Sequence, residues 1–217
     1  MTVKKPGLYE DIEKAGDFSK VVADARTYEI DIKNVEVSGA VFDGADLTSL
    51  GFAGVSFREC KFTGCDFSRS NFVDVAFTNC DLSNSVFEEC YFNRCEFFGC
   101  KGAGTSFSQG VMKDVSWQNC NFRYSLFNKT SFSNVAITYS DFCDSSITES
   151  SQTSFEIHNG FFLGTNFFRT SLKGMDFSDS EISGIVVSDS FYELKGMVVS
   201  SLQALELAGL LGISVKD

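Results

Sequence analysis

CKFTGCDFSRSNF, at residues 60–72, places a Phe at every fifth position, and CDLSNSVFEECYF, at residues 80–92, repeats the spacing with one Leu. The same five-residue frame begins at Phe42 and ends at Val187 without a slip, and 28 of its 30 positions are apolar. It contains 18 of the 24 Phe residues of the 217-residue chain. One large side chain in every five residues is therefore the dominant pattern of this sequence.

A period of five matches neither regular element, because an α-helix repeats every 3.6 residues and a strand every two. A solenoid with a short repeat explains it. Two residues before each frame position lies a second inward position, mostly small, and two residues after it Gly, Asn or Asp is frequent, as at a corner of the chain. The frame breaks at Gly102, which removes a ring, and at Gln152, which needs a hydrogen-bond partner if it stays inward. We expect both breaks to loosen the core locally.

These segments resemble the pentapeptide repeat, and the resemblance covers roughly residues 32–191. It implies an all-β fold, a right-handed quadrilateral β-helix with one pentapeptide per side, four per coil, a short N-terminal cap and a C-terminal helix or tail. Residues 20 apart should then stack along the axis at ~4.8 Å. We number the sides by their first frame residues, with Phe42 on the first side, Leu47 on the second, Phe52 on the third and Phe57 on the fourth.

Both ends of such a rod need covering, because unpaired backbone groups invite aggregation. We expect residues 1–31 to cap the first coil, with a short helix in DFSKVVADAR, and residues 192–217 to form a C-terminal cap and dimerisation segment. There Ser200 or Ser201 can N-cap a short helix, which a strand-like tail follows. The apolar residues of this segment are Leu202, Leu205, Leu207, Leu210, Leu211, Ile213 and Val215. We predict that they form a two-fold dimer interface; the alternative is a cap that buries all of them within one chain.

A narrower resemblance lies near the C-terminus. The LxxxLGI segment from Leu207 to Ile213, preceded by TSLKGMDFS at residues 170–178, is similar to the Qnr group of quinolone-resistance proteins, and most similar to its chromosomal members from Gram-positive bacteria. The resemblance implies a homodimer that binds DNA gyrase and topoisomerase IV and protects them from quinolones without catalytic activity. Gram-negative members carry loops that project from the rod. The unbroken frame leaves no room for such loops, so strong protection does not follow.

The net charge of −11 argues against direct binding to nucleic acid or to an anionic membrane, since both require a basic patch, and indicates a basic partner. MTVKKPGLYEDIEKAG contains no apolar signal segment and no run of residues is long enough to span a bilayer, so we expect a cytoplasmic protein. Cys60, Cys80, Cys100 and Cys120 fall 20 apart. A ladder of this kind suits neither disulfides nor a metal ion, and we interpret these thiols as small, reduced core residues.

Acidic residues just before the frame positions face outward. We predict that they contact a basic DNA-binding surface of the topoisomerase, with the rod mimicking duplex DNA. They are Asp81, Asp141 and Glu181 on the first side, Asp46 and Asp66 on the second, and Glu96, Glu156 and Asp176 on the fourth. The alternative is ordinary solvated charge that keeps a β-rich rod soluble. Outward aromatic residues are further contact candidates unless neighbouring side chains cover them, namely Tyr91, Phe98, Phe161 and Phe168.

The sequence shows no catalytic constellation. His158, the only His, has no evident partner for a triad or a metal site, and the carboxylates are dispersed rather than clustered as in polysaccharide-cleaving β-helices. We therefore expect neither enzymatic activity nor a cofactor. Topoisomerase binding is the function that we infer, and the alternative is a pentapeptide-repeat scaffold for an unrelated protein partner, because a fold alone does not determine function.

Overall fold

The computed structural model describes residues 2–8 and 12–216. Met1 and residues 9–11 of the expected N-terminal cap, and Asp217 of the expected C-terminal segment, lie outside the described residues. The strands are β1 Glu13–Lys14, β2 Ile32–Lys33, β3 Val35–Ser38, β4 Val41–Asp43, β5 Gly51–Ala53, β6 Ser56–Arg58, β7 Lys61–Thr63, β8 Asn71–Thr78, β9 Tyr91–Phe98, β10 Val111–Gln118, β11 Ser131–Thr138 and β12 Ser151–His158. The helices are α1 Phe18–Tyr28 and α2 Ser201–Leu210, and Tyr192–Leu194 form a 3₁₀ turn.

All strand pairs are parallel, and the rungs from β2 to Val186 pair residues that are 20 apart. At the two ends, Glu13 pairs with Val35 and Asp176 with Val198, which are 22 apart. Phe72 pairs with Phe92 and Phe92 with Met112, in the ladder that joins β8, β9 and β10. On the second side, single bridges with the same spacing run from the pair Asp46 and Asp66 to the pair Asn166 and Val186. Four pentapeptides per coil are thereby confirmed, and the chain is a right-handed quadrilateral β-helix.

The four sides differ in backbone structure. From β8 to β12 the third and fourth sides form one eight-residue strand per coil, whereas the first and second sides consist of single bridges followed by turns. The corner between the third and fourth sides lies inside each long strand, where Asp74 of β8 and Arg94 of β9 have left-handed φ values of 56° and 54°. This corner lies two residues after the frame position, as the frequency of Gly, Asn and Asp there predicted.

Stacked Phe rings fill the tube. Phe67 and Phe87 stack with ring centroids 4.6 Å apart and planes 3° apart, and Phe77 stacks on Phe97 at 4.9 Å and 2°. Neighbouring sides meet edge to face, as in the pair Phe57 and Phe62, whose planes are 88° apart. Each ring therefore contacts rings above, below and beside it, which is the axial stacking that the 20-residue spacing predicted.

The second inward position carries a hydrogen bond that the sequence analysis missed. At most of these positions the hydroxyl or thiol donates to the carbonyl oxygen of the frame residue 23 positions earlier, in the adjacent coil, whereas Ser125 and Ser145 donate to the frame residue three positions earlier. Thr105 Oγ1 donates to Leu82 O at 2.9 Å, and Cys90 Sγ donates to Phe67 O at 3.1 Å. Burial raises the pKa of the Cys90 thiol to about 12, so the donating proton stays in place at neutral pH. All eight Cys are free and buried. Cys, Ser and Thr suit this position because they are small and because they can donate this hydrogen bond.

The two breaks in the frame are filled in different ways. At Gly102 a Cβ atom would lie 2.1 Å from Cε1 of Phe122, because the Phe122 ring occupies the space that a side chain would need. Gln152 donates through Nε2 to Lys173 O at 2.9 Å and so has the hydrogen-bond partner that it requires. Phe155, at the small inward position of the next pentapeptide, packs edge to face against Phe132 at 5.5 Å. The expected loosening is therefore wrong at Gly102, where the Phe122 ring takes up the volume. At Gln152 part of it is present, because Gln152 and Phe155 are half-buried whereas the equivalent residues of β11, Phe132 and Val135, are buried.

The N-terminal cap is smaller than we expected. The predicted helix is confirmed as α1, in which Asp17 Oδ1 accepts a hydrogen bond from Ser19 N, and Phe18 packs edge to face on Phe42 and Phe57 at 5.6 and 5.7 Å. Residues 2–7, which we had assigned to the same cap, lie instead along the side of the rod, where Gly7 N donates to Asp74 Oδ1 at 2.8 Å.

A buried carboxylate closes the last coil. The final rung joins Asp176 to Val198, which are 22 residues apart, so two extra residues enter this coil. Glu193, fully buried within the same coil, accepts hydrogen bonds from Arg169 N at 2.8 Å and Ser188 N at 3.2 Å. Burial opposes its ionisation, but these hydrogen bonds outweigh that effect and lower the pKa of Glu193. Backbone groups that the shifted rung leaves without a partner are thereby satisfied.

Candidate partner-binding surface

The outward Asp residues of the frame close the turns of their own sides. Asp66 Oδ1 accepts a hydrogen bond from Ser68 N at 2.8 Å, and Asp81 Oδ1 accepts one from Ser83 N at 3.1 Å. The same bond to the residue two positions later occurs at Asp46, Asp141 and Asp176. Asp is favoured here because its short carboxylate mimics a turn of backbone. The sequence pattern D-[FL]-[ST], in CDFS and CDLS, already carried this signal.

Turn closure also favours the ionised form of Asp46 and Asp176. Hydrogen bonds from the Thr48 N–H and hydroxyl, followed by the Arg26 guanidinium, lower the pKa of Asp46 to about 2. Hydrogen bonds from Ser178 lower the pKa of Asp176. Asp46 and Asp176 are exposed, so their charge is available to a partner over the whole physiological pH range.

The structure does not bring the eight predicted acidic residues into one stripe. Along the outward column of the first side, Asp81, Asp141 and Glu181 alternate with Lys101, Asn121 and Phe161. On the second side, Asp46 and Asp66 are adjacent rungs, but the next rungs carry Val86 and Ser106. On the fourth side, Glu96 lies in β9 and Glu156 in β12, three coils apart. The acidic surface thus consists of separate patches, whereas the phosphates of duplex DNA form a continuous line of charge.

Cations neutralise part of these patches. Arg26 forms an ion pair with Asp46 at 2.9 Å, and Arg123 lies 2.8 Å from Asp144 and 3.6 Å from Asp141. Such exposed pairs contribute little to stability, typically about 0–1 kcal/mol. Their main effect here is to reduce the negative potential of the second side near Asp46 and of the first side near Asp141.

Sequence reasoning missed a second set of acidic residues, at the corners. The position two residues after the frame residue holds Glu59, Asp74, Glu89, Asp114, Asp144 and Glu149, all with left-handed φ values. Asp74 accepts two hydrogen bonds from Arg94, at 2.7 and 2.6 Å, which lower the pKa of Asp74. Extending the five-residue period to the corner position would have revealed these residues, since corners project from a square rod.

Several aromatic side chains are exposed on the first side and its borders. Phe98 and Phe161 are exposed as predicted, whereas Tyr91 and Phe168 are half-buried, and the Arg169 guanidinium lies over the Phe168 ring at 5.0 Å. Tyr139, which the sequence analysis did not single out, joins Phe161 and Asp141 around a shallow depression of about 470 Å³. This depression is the part of the rod wall that best combines aromatic and acidic contact groups.

The C-terminal helix exposes its apolar side chains. Ser200 is the N-cap of α2, and the Gln203 side chain donates to Phe177 O and Ser180 O at 2.9 and 2.6 Å, which attaches the helix to the last coil. Leu202 remains 75% exposed and Leu205 49%, and Leu210, Leu211, Ile213 and Val215 are exposed as well. Leu207 is half-buried against the core. A cap that buries all these residues within one chain is therefore not what the structure shows, and the expected tail after α2 forms no strand within the described residues.

In residues 2–8 and 12–216, the single His and the potential metal ligands form no further site. His158 Nδ1 lies 3.2 Å from Asp179 Oδ2, a partner that the sequence did not reveal, and both side chains are exposed. Among the described residues, no group of three or more His, Cys, Asp or Glu side chains is arranged to hold a metal ion. No helix in the described part of the chain has the length and apolar character of a membrane span.

These observations define a class: a parallel β-solenoid with a square cross-section, an aromatic core and polar walls. A family model described as a pentapeptide repeat region matches residues 70–159, and a second, described as pentapeptide repeats in 8 copies, matches residues 29–64 and 51–88. These matches together span residues 29–159, more than half of the chain, which therefore belongs to the pentapeptide-repeat family.

Two solved structures of pentapeptide-repeat proteins are similar to this chain. A trypsin-treated variant of QnrB1, a plasmid-mediated fluoroquinolone resistance protein, is 20% identical, with 86% of this chain and 94% of that chain covered and a TM-score of 0.50. HetL, a pentapeptide repeat protein involved in heterocyst differentiation regulation from the cyanobacterium Nostoc sp. strain PCC 7120, is 13% identical, with 86% and 98% covered and a TM-score of 0.42. A comparison with curated protein sequences gives no match. At these identities the structural likeness establishes the fold alone.

Proposed function

We propose that this protein binds the type II topoisomerases DNA gyrase and topoisomerase IV as a cytoplasmic, non-catalytic, DNA-mimicking rod, and that it protects them from quinolones. The observation that carries the proposal is an acidic rod of even width, with a net charge of −11 and a constant 20-residue register from Asp46 to Val186. A fluoroquinolone resistance protein shares this fold. A negatively charged rod is repelled by nucleic acid and anionic membranes, so its partner is a basic protein surface.

The charge density supports partial mimicry of DNA. The first side has eight rungs from Phe42 to Ile182, and seven steps of ~4.8 Å give a rod of ~34 Å. Duplex DNA of that length carries about 20 phosphates at one per ~1.7 Å. A net charge of −11 is about half as dense. Binding then depends on the separate acidic patches and on the aromatic depression, and long-range attraction serves mainly to speed the encounter.

A homodimer joined through α2 is part of the proposal. Six apolar residues from Leu202 to Val215 are exposed at one end of the rod, and large exposed apolar patches on soluble proteins are commonly interaction sites. A two-fold axis at this end would cover the patch in both copies and double the length of the rod. The doubled rod of ~68 Å would span a correspondingly longer DNA-binding surface.

The test is whether the purified protein relieves ciprofloxacin inhibition of gyrase supercoiling. The side-wall triple variant Asp81→Asn, Glu96→Gln, Asp141→Asn removes three charges while keeping the oxygen that closes each Asp turn. We expect it to bind gyrase at least fivefold more weakly. The matched control Glu13→Gln, Asp24→Asn, Glu29→Gln removes three exposed charges from the N-terminal region and should bind like the parent protein. Equal binding by both triple variants contradicts the electrostatic contact.

The second candidate is a scaffold for an unrelated protein partner. The turn-closing hydrogen bonds of Asp46, Asp66, Asp81, Asp141 and Asp176 favour it, because they give each carboxylate a structural role that needs no partner. Failure to relieve ciprofloxacin inhibition, together with no retention of gyrase on the immobilised protein, would select the scaffold. Retention without relief would place the protein on gyrase without protection, as the absence of projecting loops allows.

A further inference from the structure

The N-terminal arm, residues 2–7, is bound to the rod through its backbone. Gly7 N donates to Asp74 Oδ1 at 2.8 Å, and Lys4 N donates to Asp114 Oδ1 at 3.3 Å. Asn134 Nδ2 donates to Thr2 O at 3.3 Å and also to Asp114 Oδ1. All three partners on the rod are corner residues between the third and fourth sides, so the arm runs along one edge, with its N-terminus toward the C-terminal end of the rod.

The spacing of the arm matches the spacing of the coils. Gly7 and Lys4 are three residues apart, which is ~9.3 Å in a polyproline II chain at ~3.1 Å per residue, and the three-residue turn of that conformation points every third N–H the same way. Asp74 and Asp114 are two coils apart, which is ~9.6 Å at ~4.8 Å per coil. An extended peptide can therefore place every third amide N–H on every second corner without strain. This match in spacing depends on backbone geometry alone, so a peptide with other side chains can form the same hydrogen bonds.

The edge also has unused hydrogen-bonding capacity. The amide oxygens of Asn93 and Asn134 are buried and have no hydrogen-bond partner in the described part of the chain. Two further residues of this edge are covered although their positions face outward. Asp114, at a corner, is buried, and Ala76, two residues after Asp74, is only 8% exposed. Buried acceptors without donors are costly, so a ligand with further N–H or ammonium donors would be favoured here.

We propose that this edge is a binding site for an extended, lysine-bearing peptide segment, and that the N-terminal arm is its exchangeable resident. The corner carboxylates of Asp74 and Asp114 accept backbone N–H groups three residues apart. The unpaired amide oxygens of Asn93 and Asn134 beside them favour one further donor, such as the ammonium group of a lysine in the bound segment. A partner's segment with the same chemistry takes the place of the arm when it binds. The inference does not depend on topoisomerase binding, because the site and its occupant are both within this chain.

Release of the arm is measurable in the full-length protein by trypsin. The Lys4–Lys5 bond is the susceptible one, since Pro6 protects the bond after Lys5. Asp74→Gly removes the acceptor of the Gly7 N–H, and Gly is the residue found at other left-handed corners. We expect cleavage at Lys4 to become at least fivefold faster. The matched control Asp144→Gly, at a corner with a φ of 57° on another edge, should cleave like the parent protein. Equal rates in all three proteins would overturn the assignment of the arm to this edge.

Exchange is measured with a fluorescent peptide of residues 2–8, TVKKPGL, by anisotropy. Gly7→Pro removes the donor of the arm and leaves the edge intact, so this variant should bind the peptide at least tenfold more tightly than the parent protein. Adding Asp74→Gly to it should abolish the gain, because the acceptor of one backbone N–H is then lost. No binding to the Gly7→Pro protein, or equal binding with and without Asp74, overturns the proposal. Gyrase assays play no part in either experiment, so failure here is separate from failure of the proposed function.

Discussion

Truncation of Phe87 to Ala tests the stacked core most directly. The Phe87 ring is fully buried and stacks between Phe67 at 4.6 Å and Phe107 at 5.2 Å, with Phe72 and Phe92 at 5.8 and 6.0 Å. Removing such a ring typically costs about 3–5 kcal/mol in the free energy of unfolding, through lost burial and the cavity that remains.

The upper half of that range applies here, because the cavity cannot collapse. Phe87 N donates to Ser106 O at 2.7 Å, and Phe67 N donates to Val86 O at 2.7 Å, so the backbone of adjacent coils holds the neighbouring rings at fixed height. We therefore expect Phe87→Ala to lower the free energy of unfolding by about 4–5 kcal/mol. Guanidinium denaturation followed by circular dichroism measures this change.

Phe98→Ala is the matched control, since Phe98 is the same residue type on an outward position and is 37% exposed. Its loss should cost about 1–2 kcal/mol, because more than a third of the residue is exposed and its removal opens no cavity in the ring column. Hydrogen exchange should also become faster around residues 82–92 in Phe87→Ala, since a solenoid opens locally where coil contacts fail. A Phe87→Ala protein within about 1 kcal/mol of Phe98→Ala would refute the account of a close-packed ring column.

Three further predictions concern the frame break, the last coil and the end of the rod. Gly102→Ala should cost about 1–3 kcal/mol in thermal or chemical denaturation, because its Cβ would lie 2.1 Å from the Phe122 ring; an unchanged stability would mean that the ring is free to move. Glu193→Gln should cost about 1–3 kcal/mol at pH 7. The pKa of Glu193 is lowered from 4.5, so the stability that its carboxylate contributes is complete above pH 4.5 and is lost as the pH falls through the lowered pKa. The difference in unfolding free energy between parent and variant should therefore shrink in acid. A difference that stays constant with pH would contradict this. Leu205→Glu should convert a dimer to a monomer in sedimentation equilibrium without lowering the melting temperature of the rod. The control Leu163→Glu, on the side wall, should leave the dimer intact. A parent protein that is already monomeric contradicts the predicted interface.

Part of the candidate surface could be predicted from the same five-residue period. The eight acidic residues lie at outward positions as predicted, because alternation of inward and outward residues is local. Their grouping was not predictable, because Arg26 and Arg123 reach Asp46 and Asp141 from positions about 20 residues away. The exposed end of α2 was readable from its leucines, and its attachment through Gln203 to the carbonyl groups of the last coil was not.

By itself, the sequence determined which residues face inward, since this depends only on a short period. The four pentapeptides per coil, and with them the axial pairing of residues 20 apart, followed from the resemblance to the pentapeptide repeat. Only the tertiary structure decided how the breaks are filled, because Phe122 and Phe155 move into volume that belongs to other positions of the frame. It also decided where the N-terminal arm lies. Thr2 meets Asn134 across 132 residues of chain, and a contact of that range depends on the assembled height of the coils rather than on any local pattern.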